Sequence, residues 1–187
     1  MNTSSTDPTT TAAAVWRLVP GGTAITGGLL ALCSLPLPWL SFDAYIVRMA
    51  MSPFDLWNLE ERFGVPRGQA AGHGLAILLA VALCVAVGVT CGTVMAVESR
   101  PPRPVAPGLA VVAGAVLLLV CGRIGLLVLS ADSEALLGSV SPGPGLIVGT
   151  GAGLAVLGGG LLALLRPFLE GLLGGRVPVR AADPAIR

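Results

Sequence analysis

The sequence predicts an all-α integral membrane protein, a four-helix bundle with a short helix in its first outer loop. Three observations lead there. The chain is 54% hydrophobic and only 11% charged, where a soluble domain carries about 25% charged residues, and its mean hydropathy is +0.86. Four stretches, 22–40, 70–97, 108–130 and 146–165, are apolar over about the roughly 20 residues that a helix needs to cross a bilayer. The segments between them are rich in proline, glycine or charge. The shortest, ESRPPRPVAP, is too proline-rich for helix and forces the second and third spans into an antiparallel hairpin.

Taken in order, residues 1–14 (MNTSSTDPTTTAAA) are polar and low in complexity and read as a disordered tail before a transmembrane unit over 15–175. Trp16 and Arg17 mark an inner interface. The first span reads as uncleaved. One basic residue precedes it, its apolar run is too long for a signal peptide, no A-x-A site follows, and Leu32 precedes Cys33 where a lipoprotein signal has a small residue. Pro36 and Pro38 fall in its last turns, and Trp39 at the outer interface.

In the outer loop 42–68, FDAYIVRMAM alternates loosely and suits an extended strand. SPFDLWNLEERFG then carries helix signals: Ser52 as N-cap, Pro53 at the first position and Asp55 completing a capping box. The helix is expected over 53–63, with Leu56, Leu59 and Phe63 turned inward and Phe54, Trp57 and Phe63 as the aromatic set of a candidate interaction loop. After the third span, ADSEALLGSVSPGPG reads as a short acidic loop with one helical turn. RPFLEGLLGG reads as an amphipathic extension of the fourth span along the inner surface, and 176–187 as a flexible tail.

Arginine placement sets the orientation. With both termini inside, the inner segments hold Arg17, Arg100, Arg103, Arg166, Arg176, Arg180 and Arg187 against Arg48, Arg62 and Arg67 outside, a seven-to-three bias toward the cytoplasm. Every basic residue is Arg and none is Lys. With the load of Ala and Gly, this composition points to a high-GC bacterial genome and hence to a bacterial plasma membrane. A net charge of +1 gives no field for nucleic acid.

No catalytic, cofactor or metal constellation is legible. The four cysteines, Cys33, Cys84, Cys91 and Cys121, lie inside apolar segments without a CxxC pair and read as free thiols. His73 is the only histidine, too few for a metal site. GTGAG in the fourth span lacks the spacing, the preceding strand and the GK[ST] of a phosphate loop.

Two features remain. Small residues recur every fourth position along the second span (Ala76, Ala80, Cys84, Gly88, Gly92, Ala96) and along the fourth (Gly145, Gly149, Gly153; Gly151, Ala155, Gly159, Ala163). Such rows let helix backbones approach closely, either within the chain or between copies. The other feature is Arg123, the sole charge in the third span. A buried cation needs partners. Pro36 and Pro38 deprive the carbonyls of Leu32 and Ser34 of their helical donors. Arg123 is therefore expected to face the bundle and bond to the first span near Leu32 and Ser34, with Thr150 of the fourth span close by.

The order Pro38-Trp39, then Asp55-Leu56-Trp57, then a tight hairpin resembles a loose group of small four-span bacterial membrane proteins. The layout is also similar to the claudin-like four-span arrangement, whose first outer loop has W…GLW…C…C, although this loop has no cysteine. The resemblance implies a topology and no activity. The sequence thus suggests a non-enzymatic structural or accessory subunit, held in the lipid bilayer and meeting a membrane-protein partner or a second copy through its outer loop and small-residue helix faces. The alternative is a small transporter or channel subunit in which Arg123 lines a pathway for an anion or an anionic lipid.

Overall fold

A computed structural model of the chain describes residues 8–44, 47–58, 69–97, 104–132 and 138–174. Of these, 83% are helical. The elements are α1 (Pro8–Ser34), β1 (Leu40–Ala44), β2 (Val47–Met51), α2 (Pro53–Trp57), α3 (Gln69–Val97), α4 (Val105–Asp132), β3 (Gly138–Pro142) and α5 (Pro144–Gly174).

The four long helices form a ring in which α1 packs against α3 and α5, and α4 packs against the same two from the other side. Each neighbouring pair is antiparallel. Gly21 midway along α1 meets Gly92 near the end of α3 while Gly28, later in α1, meets Val85 and Val89, earlier in α3, and Gly114 early in α4 meets Gly153 and Leu157 along α5. Three helices, at 72–97, 105–129 and 144–169, are long and apolar enough to cross a membrane, and the apolar part of α1 spans 17 residues, Leu18–Ser34.

The distribution of side-chain size is the reverse of that in a water-soluble helical protein. The core is rich in small residues, Ala24, Ala31, Ala110, Ala152 and Cys84 being fully buried, beside a few larger ones, Trp39, Ile77, Val81, Leu117 and Val156. Large aliphatic residues point outward, among them Leu119, Leu126, Leu129 and Ile147, each about two-thirds exposed. So much outward Leu is a solubility liability in water and an ordinary lipid-facing surface in a bilayer, where small residues gather at helix contacts. Three helices of this length and apolarity are compatible with a multi-pass membrane protein.

Helix ends differ from the expectation in two places, both on α1. α1 begins at Pro8, inside the tail read as disordered. Proline is tolerated at a first helical position because its missing N–H has no acceptor there, and Ala12 to Ala14 are strong helix formers. α1 also ends at Ser34, six residues early, because Pro36 and Pro38 each remove a donor and disfavour helix in the residue before them. At the other terminus α5 runs unbroken from Pro144 through Pro167 to Gly174, forming the extension expected beyond residue 165.

At one end of the ring, β1 lies between β2 and β3 in an antiparallel sheet of order β2-β1-β3. β1 and β2 form where loose alternation suggested extension. Asp43 faces Arg48 across the pair and bonds it at 2.9 Å. Both side chains are largely solvated, so this contact adds little. β3 occupies the later part of the loop expected after the third span; residues 133–137, where its acidic part and helical turn would fall, lie outside the described residues. Its sequence, GSVSP, has no helical periodicity and gains strand geometry by offering its backbone to the free edge of β1.

α2 follows β2 directly. Its capping box forms as the spacing predicts: the Asp55 amide donates to Ser52 Oγ at 3.3 Å, and the Ser52 amide and hydroxyl donate to Asp55 Oδ2 at 3.0 and 2.6 Å. Leu56 is buried, and α2 closes at Asn58, whose amide donates to the Phe54 carbonyl. Residues 59–63, with Leu59 and Phe63, lie outside the described residues. α2 sits against the start of α3 so closely that a Cβ on Gly74 would lie 2.7 Å from the Trp57 amide nitrogen. Ser52→Ala removes the cap and is expected to cost about 1 kcal/mol. Hydrogen–deuterium exchange should rise over 53–58 and stay unchanged along α4 and α5.

Candidate functional site

Trp39 joins the sheet to the helices. It is not an interfacial anchor, as expected from its place beside the first span, but a fully buried plug. Its amide donates to the Met51 carbonyl at 2.8 Å, and its own carbonyl accepts from Gly143 at 2.9 Å, so its backbone ties β1 to both neighbours. Its indole Nε1–H donates to the carbonyl of Ser34 at 2.9 Å. The ring lies on the glycine face of α5, where a Cβ at Gly149 would fall 2.8 Å from Cη2 and one at Gly145 would overlap Cδ1. The first two members of the Gly145, Gly149, Gly153 row therefore receive an indole, and Gly153 receives Leu118 of α4.

The row on α3 lies against α1. A Cβ on Gly88 would stand 3.0 Å from the Ala24 carbonyl oxygen, and one on Gly92 would stand 2.9 Å from that of Gly21. Ala80 and Cys84, higher on the same row, are buried, and Ala76 at its top is exposed.

Arg123 does not go where the proline argument sends it. Those carbonyls are already served. Leu32 accepts from the Leu35 amide at 3.2 Å, and Ser34 accepts from the Leu37 amide at 3.3 Å as well as from Trp39. The Ser34 hydroxyl, fully buried, donates to Ala31 at 2.7 Å, and the Thr150 hydroxyl donates to Leu146 at 2.8 Å. The Leu32 side chain is half exposed. Arg123 is on α4, which stands across the ring from α1, and it is exposed.

Arg123 instead lines a lateral groove of about 330 Å³ between α3 and α4, with Gly72, His73, Ala76, Val120 and Ile124. Ile124 is its buried floor, His73 and Val120 are half-buried, and Gly72 and Ala76 are open to the side. Arg123 and the sequence's one histidine lie fifty residues apart in the chain, and antiparallel packing of α3 on α4 brings them to one place. A second groove, of about 500 Å³, lies between α1 and α5 near the opposite end and is lined by Leu18, Val19, Gly22, Thr23, Thr26 and Ala155, with no charged group.

Among the described residues, no three His, Cys, Asp or Glu side chains gather as a metal site, and the four cysteines are free thiols. On α2 the aromatics Phe54 and Trp57 are about half exposed, and Met49 of β2 is exposed as well. No protein-family model matches the chain, and no curated protein matches it significantly.

Proposed function

We propose that this is a four-span, non-enzymatic protein of a bacterial plasma membrane, with both termini cytoplasmic, that serves as a structural or accessory subunit and meets a membrane-protein partner through its outer cap. In this reading α1 is the fourth span. Its apolar part, Leu18–Ser34, has 17 residues, the lower end of the range of about 17–25 that crosses a bilayer. The sheet and α2 then stand outside, on the side with fewer arginines.

The observation that carries the proposal is the way the cap is built. Two loops far apart in sequence are built into one sheet, held by Trp39 and by the docking of α2 on Gly74. That fixed platform leaves Phe54 and Trp57, three residues apart on one helical face, turned outward. Aromatic side chains dominate binding energy at protein interfaces, and a preordered platform loses little entropy when a partner docks.

The test is affinity purification from mild detergent of the native chain beside the double variant F54A/W57A. A companion membrane protein should co-purify with the native chain and fall at least about tenfold with the variant, since interface aromatics contribute about 2 kcal/mol or more each. Equal recovery by both would overturn the assignment of the partner to this face.

The transport reading draws its support from Arg123 and His73 sharing one groove. It would require that groove to reach water at both ends of the helices. Solvent-accessibility labelling of cysteines placed along Ala76, Val120 and Arg123 decides it.

A further inference from the structure

The groove that holds Arg123 opens sideways, toward where lipid stands if α3 and α4 cross a bilayer. We infer that it is a binding site for one phospholipid, the phosphodiester held by Arg123 with His73 beside it, and an acyl chain lying on Ala76, Val120 and Ile124. The inference needs the membrane reading but not the partner of the cap.

Position supports it first. α4 has 28 residues, about 42 Å of helix, so it exceeds a hydrocarbon core of about 30 Å by roughly 6 Å at each end. Arg123 lies nine residues before the end of α4 at Asp132, about 14 Å along the axis, and so about 8 Å inside the core. A guanidinium at that depth is costly unless it reaches an anion or water.

Composition supports it next. Among the described residues that line the groove there is no carboxylate, and the Arg48–Asp43 ion pair lies away in the sheet. The two nitrogen-bearing side chains stand on an otherwise apolar wall. A planar guanidinium offers paired N–H donors that match two phosphate oxygens. A mixed wall of this kind suits an amphiphile with an anionic head better than a free ion, which would leave the apolar surface unused. The larger groove between α1 and α5 has apolar walls and two threonines but no cation, which makes it the internal comparison.

The experiment is native mass spectrometry of the delipidated full chain in mild detergent. Three probes are added in turn: phosphatidylglycerol, diacylglycerol with the same acyl chains, and inorganic phosphate. The native chain should retain one phosphatidylglycerol, bind diacylglycerol at least about tenfold more weakly, and keep its lipid in the presence of phosphate. Arg123→Leu should weaken phosphatidylglycerol about tenfold or more, the scale of one charge-assisted contact. Ala76→Phe, which fills the groove and leaves the arginine in place, should do the same and decides the matter if the arginine variant fails to fold. Gly22→Leu, in the uncharged groove where no atom lies within 4 Å of a new Cβ, should change nothing. Unchanged lipid retention in Ala76→Phe, no lipid adduct on the native chain, or displacement by inorganic phosphate would each overturn the site. Extraction of the chain from membranes by alkaline wash would instead overturn the membrane reading beneath it.

Discussion

Replacing Trp39 with alanine is expected to cost about 3–5 kcal/mol of stability, the range for losing a buried tryptophan side chain, and to release the sheet from the helices. The indole fills the space between the end of α1 and the glycine face of α5. Neither side can collapse into the void, because Gly145 and Gly149 have no side chains to extend and their helix is held along its length by α1 and α4. The Ser34 carbonyl also loses the indole donor, keeping only the longer bond from Leu37 at 3.3 Å. Trp39→Phe separates the two effects. It retains most of the packing but not the N–H, so its added hydrogen-bond cost should be near 1 kcal/mol. Thermal unfolding in detergent measures the stability of both variants, and hydrogen exchange over 40–44 and 138–142 reports the sheet. If the alanine variant melts as the native chain does, with the strands still protected, Trp39 does not hold the cap.

How much of this was legible follows from what is local. Length and apolarity located the three long apolar helices to within a few residues, because a helix of that kind needs nothing beyond its own stretch of chain. The capping box at Ser52 and Asp55 was legible for the same reason, its bonds closing within four residues. β3 was not. Its partner strand lies some hundred residues earlier, Ser141 opposite Ser41, and GSVSP carries no pattern that names a partner. Trp39 was misplaced because tryptophan beside a span commonly marks an interface. Its burial depends on two glycines of α5 that only the fold brings beneath it.

Arg123 shows the limit most clearly. α4 is apolar on every face, so nothing in its pattern fixes the rotation of the helix about its axis. The proline argument identified deprived acceptors correctly but assigned them the wrong donor. The signal for the groove was the hairpin itself. With a short connector, residues well back from Val97 on α3 face residues well on from Val105 on α4, and this pairs the region of His73 with that of Arg123.

Gly92→Leu is expected to prevent α1 from seating on α3, the second large effect. The small-residue row on α3 left open whether it served this chain or a second copy. In the structure its lower half is occupied from within, as Gly92 and Gly21 present backbone to backbone. A Cβ on Gly92 would lie 2.9 Å from the Gly21 carbonyl oxygen and 3.0 Å from the Ile25 amide nitrogen, and one on Gly21 would lie 2.6 Å from the Gly92 carbonyl oxygen. Backbone atoms cannot rotate away as a side chain can, so the helices must part. Parting forfeits dispersion contacts along the whole seam and any close Cα–H···O contacts with them. Between helices in lipid these forces matter most, since apolar burial gives no added drive there. Overpacking typically costs about 1–3 kcal/mol, and leucine here exceeds the scale because both partners are main chain. Even Gly92→Ala should destabilise, although alanine favours helix over glycine by about 1 kcal/mol. Gly151→Leu is the matched comparison. It stands on α5 with nothing within 4 Å of a new Cβ, so only the propensity gain applies and its melting temperature should hold or rise. Thermal unfolding of the three purified variants in one detergent reads the order. Gly92→Ala melting at or above the native temperature would show that α1 and α3 do not touch through these glycines.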